Sequence, residues 1–497
     1  MKLTYPATEA WDPLPAAEWN AEAARQLLRR AGWSALPAEV ARATTEGLAA
    51  TLDRLFPVQP ALFPEPRLVA HLQEDVPEMA RGLAQAQQGP EKQRLQREAR
   101  ERSQLALQDM SIKWLQFAAQ PQNAAFAKWV LFLSDVYVVT VEKVKNPALI
   151  WNHFDLLARH GFGPAPVLAK AVSRSPAMIN YLDLNQSKRD APNENFAREL
   201  FELFLLGEGN YSEKDIKESA RAFTGYRQQF GVFRFVPGQH DASSKTIFGQ
   251  SGPFTGDDVI DLAFRRPAAG AFMPHEMVKF YLSDAPLPPE YLHELGAWWS
   301  ARNYDLRALA LRFFGSRLFY AAEFRGEFIK SPVQFYLGLV QDLDLSVVPV
   351  PRLVLNPLRQ MGQMLFNPPN VRGWVGGRNW INSATFGVRR QLVESLFAPI
   401  KEDNLNADEQ IELVAARANG TSNFAAADAL LAPLAALDSA AATDRLLANF
   451  LALPAAPPFR DSVRKFLAAE PAAGPQKLRR LRRATVTLLQ SPEYQLC

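Results

Sequence analysis

"APNENFARELFELFLLGEGNYSEKDIKESARAFTGYR" runs from Ala191 to Arg227, and the reading of this stretch decides the fold class. At 100° per residue, Phe196, Leu200, Leu203 and Phe204 fall on one side of a helix and Phe201 and Leu205 on another. A helix apolar on most of its sides is a buried helix, so the class it announces is all-α. Yet Glu194, Arg198, Glu199 and Glu202 lie in the same stretch, and a buried charge needs partners. Arg198 stands four residues from both Glu194 and Glu202 and can serve either. Glu199 has Asn195 and little else within local reach. Ser212, with Asp215 three residues on, makes a capping box for a second helix that ends near Gly225. The charges read either as an internal ion-pair network or as carboxylates lining a cleft, and the pattern leaves both open.

Helical periodicity continues outward in both directions. Trp19, Ala23 and Leu27 share a face that stops at Gly32. Residues 91–118 form a long helix, polar and then apolar, and 122–144 form a buried helix running into β-branched residues. Helices are also predicted over 148–160 and 164–184, and from Thr255 with Asp257 and Asp258 in its first turn. "RQQFGVFRFVP" alternates and turns at Gly231, giving one small β-ribbon near 227–237. Pro-rich stretches at 57–66, 286–289, 346–357 and 454–458 read as connectors. Segments 306–320 and 481–495 share a helix ending in a Ser-x-x-aromatic turn, too few copies for a solenoid. The expectation is a large multi-helix body, with 1–400 holding the distinctive segments and the Ala-rich helices of 401–497, looped at "NGTSN", packing on it.

The totals exclude several classes. With 497 residues, 48% hydrophobic and 22% charged, a sizeable core is expected, and a net charge of +3 gives no field for nucleic acid or a membrane surface. "KLRRLRR" (477–483) reads as a solvated helix face. The single cysteine, Cys497, allows no intramolecular disulfide. There is no apolar leader segment and no run of about 20 apolar residues, so a cytoplasmic protein without a spanning helix is expected.

Two further segments concentrate chemistry. His240, Asp241 and Lys245 crowd a loop after the ribbon, where three ionisable types in six residues suggest ligand contact or a plain Asp turn. "FNPPNVRGWVGGRNWINSATFGVRRQL" (366–392) carries Gly373, Gly376 and Gly377, which permit positive φ or close backbone approach. Trp374 and Trp380 read as core seals. Asn370, Arg372, Arg378 and Asn379 offer ligand contacts, and Asn382 or Ser383 caps the next helix, whose amides can hold an anion. His153 and His160 lie seven apart on one helix face, which fits core as easily as metal. No zinc motif, P-loop, dinucleotide fingerprint or nucleophile elbow occurs.

Three of these blocks, "NENFARELFELFLLGEGNYSEKDIKESARAFTGYR", "HDASSKTIFG" and "PPNVRGWVGGRNWINSATFGVRRQ", resemble the signature blocks of the bacterial family catalogued as domain of unknown function 1800. "AARQLLRRAGWSALPAEV", "RSPAMINYLD" and "FIKSPVQF" resemble further blocks, so the likeness spans about residues 15–495. It implies a largely helical protein without an established activity. It also implies, as a partner, a sulfatase-like protein of the family called domain of unknown function 1501. Many members of the family are exported, and this chain shows no export signal. Members carry a Trp-His-Asn-His-Phe run where this chain has Leu133, Ser134, Asp135, Val136 and Tyr137, so both histidines are replaced. No transition metal is therefore expected, and other cofactors are left open.

Two functions follow. The first is a binding or scaffold protein with a polar cleft formed by 193–202, 240–245 and 370–382, using Asn193, Asn195, Arg198, His240, Asp241, Lys245, Asn370, Arg372, Trp374 and Asn382. The second is a hydrolase or lyase with Glu199 and Glu202 as acid and base and Arg or Lys holding an anion.

Overall fold

The helix Pro121–Val136 is the axis of the structure, a computed structural model that describes residues 3–74, 85, 89–421, 427–469 and 474–497. Proline at its first position has a preset φ and no N–H to waste. Its apolar residues point all round and are buried all round. Trp129 and Phe132 stack into an aromatic core with Phe56 and Tyr281, ring centroids 5.2–6.5 Å apart. The helix stops before the β-branched Val138, Val139 and Thr140, and a single turn, Val141–Val144, follows. The helical part of the 122–144 reading therefore ends at Val136.

Cations inside this core are met by carbonyls at helix ends. Lys128 donates to the Gly32 carbonyl at 3.0 Å, at the C-terminus of helix Ala21–Ala31, and lies over the rings of Trp33 and Tyr281. Burial pulls its pKa down to about 7. Arg30 donates to the carbonyls of Tyr281, Leu282 and Phe324. Helix Pro267–Tyr281 meets Pro289–Ser300 where Gly270 touches Gly296, and a Cβ on Gly296 would fall 2.5 Å from the Gly270 carbonyl carbon. That close crossing sets the rotation of the 267–281 helix, and so the face it turns to the cleft described below.

Several predicted elements shift. The 164–184 helix is two, Ala165–Ser173 and Pro176–Tyr181, because the residue before Pro176 is pushed out of helical geometry. The ribbon pairs β1 (Tyr226–Gln229) with β2 (Val232–Phe235), antiparallel, with Gln229 opposite Val232. A second hairpin, β3 (Lys245–Ile247) and β4 (Gln250–Gly252), replaces part of the predicted loop. Both turn on a Phe-Gly pair with positive φ at each residue, Phe230-Gly231 and Phe248-Gly249, which is the geometry of a two-residue hairpin turn. Pro289, Pro351 and Pro457 do not sit in connectors but open helices.

The 477–483 segment is not simply solvated. Lys477 is buried and donates to the Leu437 carbonyl, and Arg482 donates to the Phe397 carbonyl. The two similar segments match in detail: Ser316 Oγ accepts the Phe319 N–H and Ser491 Oγ accepts the Tyr494 N–H, each opening a short 3₁₀ turn. The last turn joins the body through a bridge between Ile329 and Leu496. The predicted "NGTSN" loop lies partly outside the described residues.

Candidate functional site

Asn195 opens the opening stretch's helix, but only Asn195–Glu199 is α-helical. Leu200–Leu205 is a π-turn, and both Leu206 N–H and Gly207 N–H reach back to the Phe201 carbonyl. A wider turn breaks the 100° arithmetic, and such turns recur at functional sites. Its consequence is immediate. Arg198 does not serve Glu202; it makes a two-pronged pair with Glu213, at 2.8 and 2.9 Å, and a longer contact to Glu194 at 3.3 Å. Glu202 is turned the other way. It takes Arg372 at 2.7 Å on one oxygen and the Tyr211 hydroxyl at 3.0 Å on the other. Arg372 also holds Glu208 at 2.9 Å.

Arg372 is brought there by a loop docked at two points by buried or partly buried carboxylates. Asp135 accepts the Trp374 N–H at 2.8 Å. Asp284, just past the 267–281 helix, accepts the Arg378 N–H. Each docking needs a glycine one residue earlier. Gly373 and Gly377 have φ of +80° and +64°, and a Cβ on either would fall 2.2 Å from the aspartate oxygen it faces. Asn370 tightens the approach by accepting the Arg372 N–H at 2.8 Å, and Asn382 caps the helix Ser383–Leu396 in a reciprocal box with Thr385. That box already takes the Thr385 amide, so the expected anion seat is partly filled by the chain itself. Trp374 and Trp380 are buried, as expected of core seals.

Between this loop, the π-turn and the 267–281 helix lies an open cleft of ≈ 620 Å³. Asp135, Glu202, Glu208, Glu276, Lys279 and Arg372 bring charge to its lining, joined by Arg266, His275 and His293. Phe272, Leu203, Leu206 and Leu292 give it an apolar wall. Burial raises the Asp135 carboxyl to about 7, against the stabilising Trp374 N–H and the Lys279 charge, with Glu276 pushing further upward. Lys279 lies 3.5 Å from Glu276. Among the described residues no group of three or more His, Cys, Asp or Glu side chains is placed to hold a metal ion.

The cleft unites only part of the predicted site. Glu202 and Arg372 line it; Glu199 does not. Glu199 is partly buried, has no hydrogen bond or ion pair among the described residues, and has its pKa raised by burial and by Glu202, with Arg372 and Arg198 opposing. Its charge also helps to raise Tyr181 to about 12, after burial. Asn193 and Asn195 are structural: the Asn193 side chain accepts the Asn195 N–H and donates to the Asp183 carbonyl, and Asn195 donates to Leu182. His240, Asp241 and Lys245 do not line the cleft. Asp241 takes Arg221 at 2.7 Å and the Ser243 hydroxyl, and lies well below the usual carboxylate range because of those bonds, which outweigh its desolvation. The Lys245 amine is buried against the carbonyls of Asp241 and Ser243. His240 faces Thr224. This is a closed network that ties the second hairpin to helix Glu213–Ala222. His153 is core, bonded to Ser175 and the Tyr137 carbonyl, and burial lowers it to about 4.

Sequence reasoning missed Glu208 as a partner of Arg372, Tyr211 as a partner of Glu202, Asp284 as an anchor of the loop and Glu276 and Lys279 in the cleft lining, and named Asp135 only as a member of the replaced run. The spacing of Gly373 and Gly377 was the available signal, because each glycine marks a carboxylate's approach to the backbone. A family model described as "Protein of unknown function (DUF1800)" matches residues 26–496. The chain belongs to the DUF1800 family. No curated protein and no solved structure matches it. The family match takes in every segment of the cleft, from Asp135 through the π-turn and the 267–281 helix to the Arg372 loop. In this DUF1800 chain, Leu133 and Tyr137 of the replaced run are core residues, and the Ser134 hydroxyl is spent on the Leu131 carbonyl. Only Asp135 and Val136 of that run reach the cleft.

Proposed function

We propose that this DUF1800 protein binds an uncharged ligand rich in hydroxyl or amide groups in the Asp135–Glu202–Arg372 cleft. One observation carries the reading: the carboxylates Glu202, Glu208 and Glu276 of the lining are already paired with its cations Arg372 and Lys279, while Arg266 lies over the Phe248 ring. Arg372 is held by Glu202 and Glu208, and Lys279 lies beside Glu276. Such a surface has little net attraction for an ion, yet its donors and acceptors converge on one hollow with an apolar wall, the usual make-up of a ligand pocket. Phe272 suits stacking against the carbon face of a sugar ring. Titrating the protein with neutral oligosaccharides and with short peptides, beside anionic oligosaccharides, tests this. Arg372→Ala should weaken binding of the neutral ligand about 10-fold or more while costing at most about 1 kcal/mol of stability, since that side chain is 59% exposed. Preference for anionic oligosaccharides, or binding indifferent to Arg372, overturns the reading.

Asp135 supports a second reading, a hydrolase. A carboxyl that holds its proton to about pH 7, in one cleft with a carboxylate paired with arginine, supplies the two groups that general acid and general base catalysis needs. The roles then fall to Asp135 and Glu202, and Glu199 leaves the pair. Asp135→Asn should keep binding and abolish turnover of whichever ligand binds; equal turnover removes this reading and leaves the first.

A further inference from the structure

A second hollow, of ≈ 480 Å³, lies far in the chain from the cleft segments, between helix Ala21–Ala31 and the turn after helix Ser439–Phe450. Its charges are unbalanced in a particular way. Two acids line it, Glu22 and Asp444, and each is matched to an arginine across the hollow: Glu22 to Arg325 at 3.6 Å and Asp444 to Arg460 at 2.7 Å. Arg25 and Arg29 also line it, one turn apart on the same helix face, and neither forms an ion pair among the described residues. Like charges at that spacing repel. Arg29 is only 4% exposed and is held by the Asn449 carbonyl at 3.1 Å through one of its nitrogens. Asp342 and Cys497, which also lines the hollow, lend Arg29 attraction, but the Asp342 carboxylate is bonded to the Tyr494 hydroxyl at 2.7 Å and the Cys497 thiol faces the Gln334 amide and the Phe328 carbonyl. A buried guanidinium bonded to one carbonyl, with a second arginine beside it, is a site with spare donors.

The opposite wall is apolar. Leu447, Leu451 and Leu453 line it, and Leu453 remains 44% exposed. Leu453 is seated over Gly326, where φ is +63° and a Cβ would fall 2.4 Å from the Leu453 Cγ. The glycine therefore lets a leucine lie along the hollow with its surface uncovered.

We propose that this hollow binds an amphiphilic anion, with its carboxylate or phosphate head on Arg25 and Arg29 and its apolar chain along Leu447, Leu451 and Leu453. Planar forks at two arginines match either head group. The apolar wall supplies the affinity that a bare ion lacks. The proposal is independent of the Arg372 cleft, which shares no lining residue with it.

Calorimetric titration with decanoate, decyl phosphate, decanol and inorganic phosphate, all below micelle formation, tests it. One site should take decanoate or decyl phosphate, with decanol and inorganic phosphate at least about 10-fold weaker. The tighter of the two amphiphiles identifies the head group. Arg25→Glu should abolish binding, Leu453→Asn should weaken the amphiphile alone, and Arg372→Ala should change nothing. Arg25 and Leu453 are partly exposed, so both variants should fold, as circular dichroism would verify. No amphiphile binding up to about 1 mM, or binding that survives Arg25→Glu, overturns the proposal.

Discussion

Replacing Asp135 by Asn should stabilise the protein, and by an amount that depends on pH. The Asp135 carboxyl is raised from 3.8 to about 7, chiefly by burial. The folded chain therefore binds a proton that the unfolded chain releases between those values, and stability falls as pH rises through that window. Each unit is worth about 1.36 kcal/mol, so the whole cost, 1.36 × (7 − 3.8), is about 4 kcal/mol above pH 7 and less than half of that at pH 5. Asparagine keeps the shape and the oxygen that accepts the Trp374 N–H, but never ionises. The expected gain of Asp135→Asn is thus about 4 kcal/mol near pH 8 and shrinks towards zero near pH 4. Denaturant unfolding of both proteins at several pH values between about 4 and 8 measures it, through the midpoint shift at unchanged slope. A variant destabilised near pH 8 would refute the reasoning, because it would mean that the ionised carboxylate is held favourably, by Lys279. The expected sign marks a group kept at a cost to stability, as functional groups often are.

Three further outcomes follow. Glu199→Gln should leave stability unchanged or raised at pH 7.5 and unchanged near pH 4, because the folded chain holds the Glu199 carboxyl above its ordinary range and no cation pairs with it among the described residues; thermal melts at the two pH values check this. Gly373→Ala should cost at least about 1–2 kcal/mol for the left-handed backbone, with the Asp135 clash added, and should lose ligand binding as the Arg372 loop lifts, as unfolding and titration would register. Lys128, whose folded pKa is depressed to about 7, should add about 1.36 kcal/mol per unit to the rise of stability between pH 7 and 10.5, beside Lys330, and Lys128→Met should reduce that slope in denaturant melts.

The helices were legible because their signals are local. Ser212 with Asp215 made the capping box that spacing announces, and Thr255, expected as a helix start from its acidic first turn, opens its helix with a box of its own. The isolation of Glu199 was also legible, since i±4 counting leaves it without a cation. What failed did so where local rules yield. The π-turn at Leu200–Leu205 carried Glu202 away from Arg198, and no 3.6-residue count can foresee that. The His240–Lys245 segment looked available because its polar residues were counted without Arg221, which lies a hairpin away in sequence. Asp135 came to Trp374 across 239 residues, a contact set by where the Arg372 loop docks on the Pro121–Val136 helix and not by either sequence alone.

The most direct test of the cleft is a crystal structure of the protein grown with the neutral ligand that binds it best. The account predicts that ligand between the Arg372 guanidinium and the Asp135 carboxyl, with its carbon face on Phe272. The same ligand bound elsewhere, with the cleft holding only water, would contradict it.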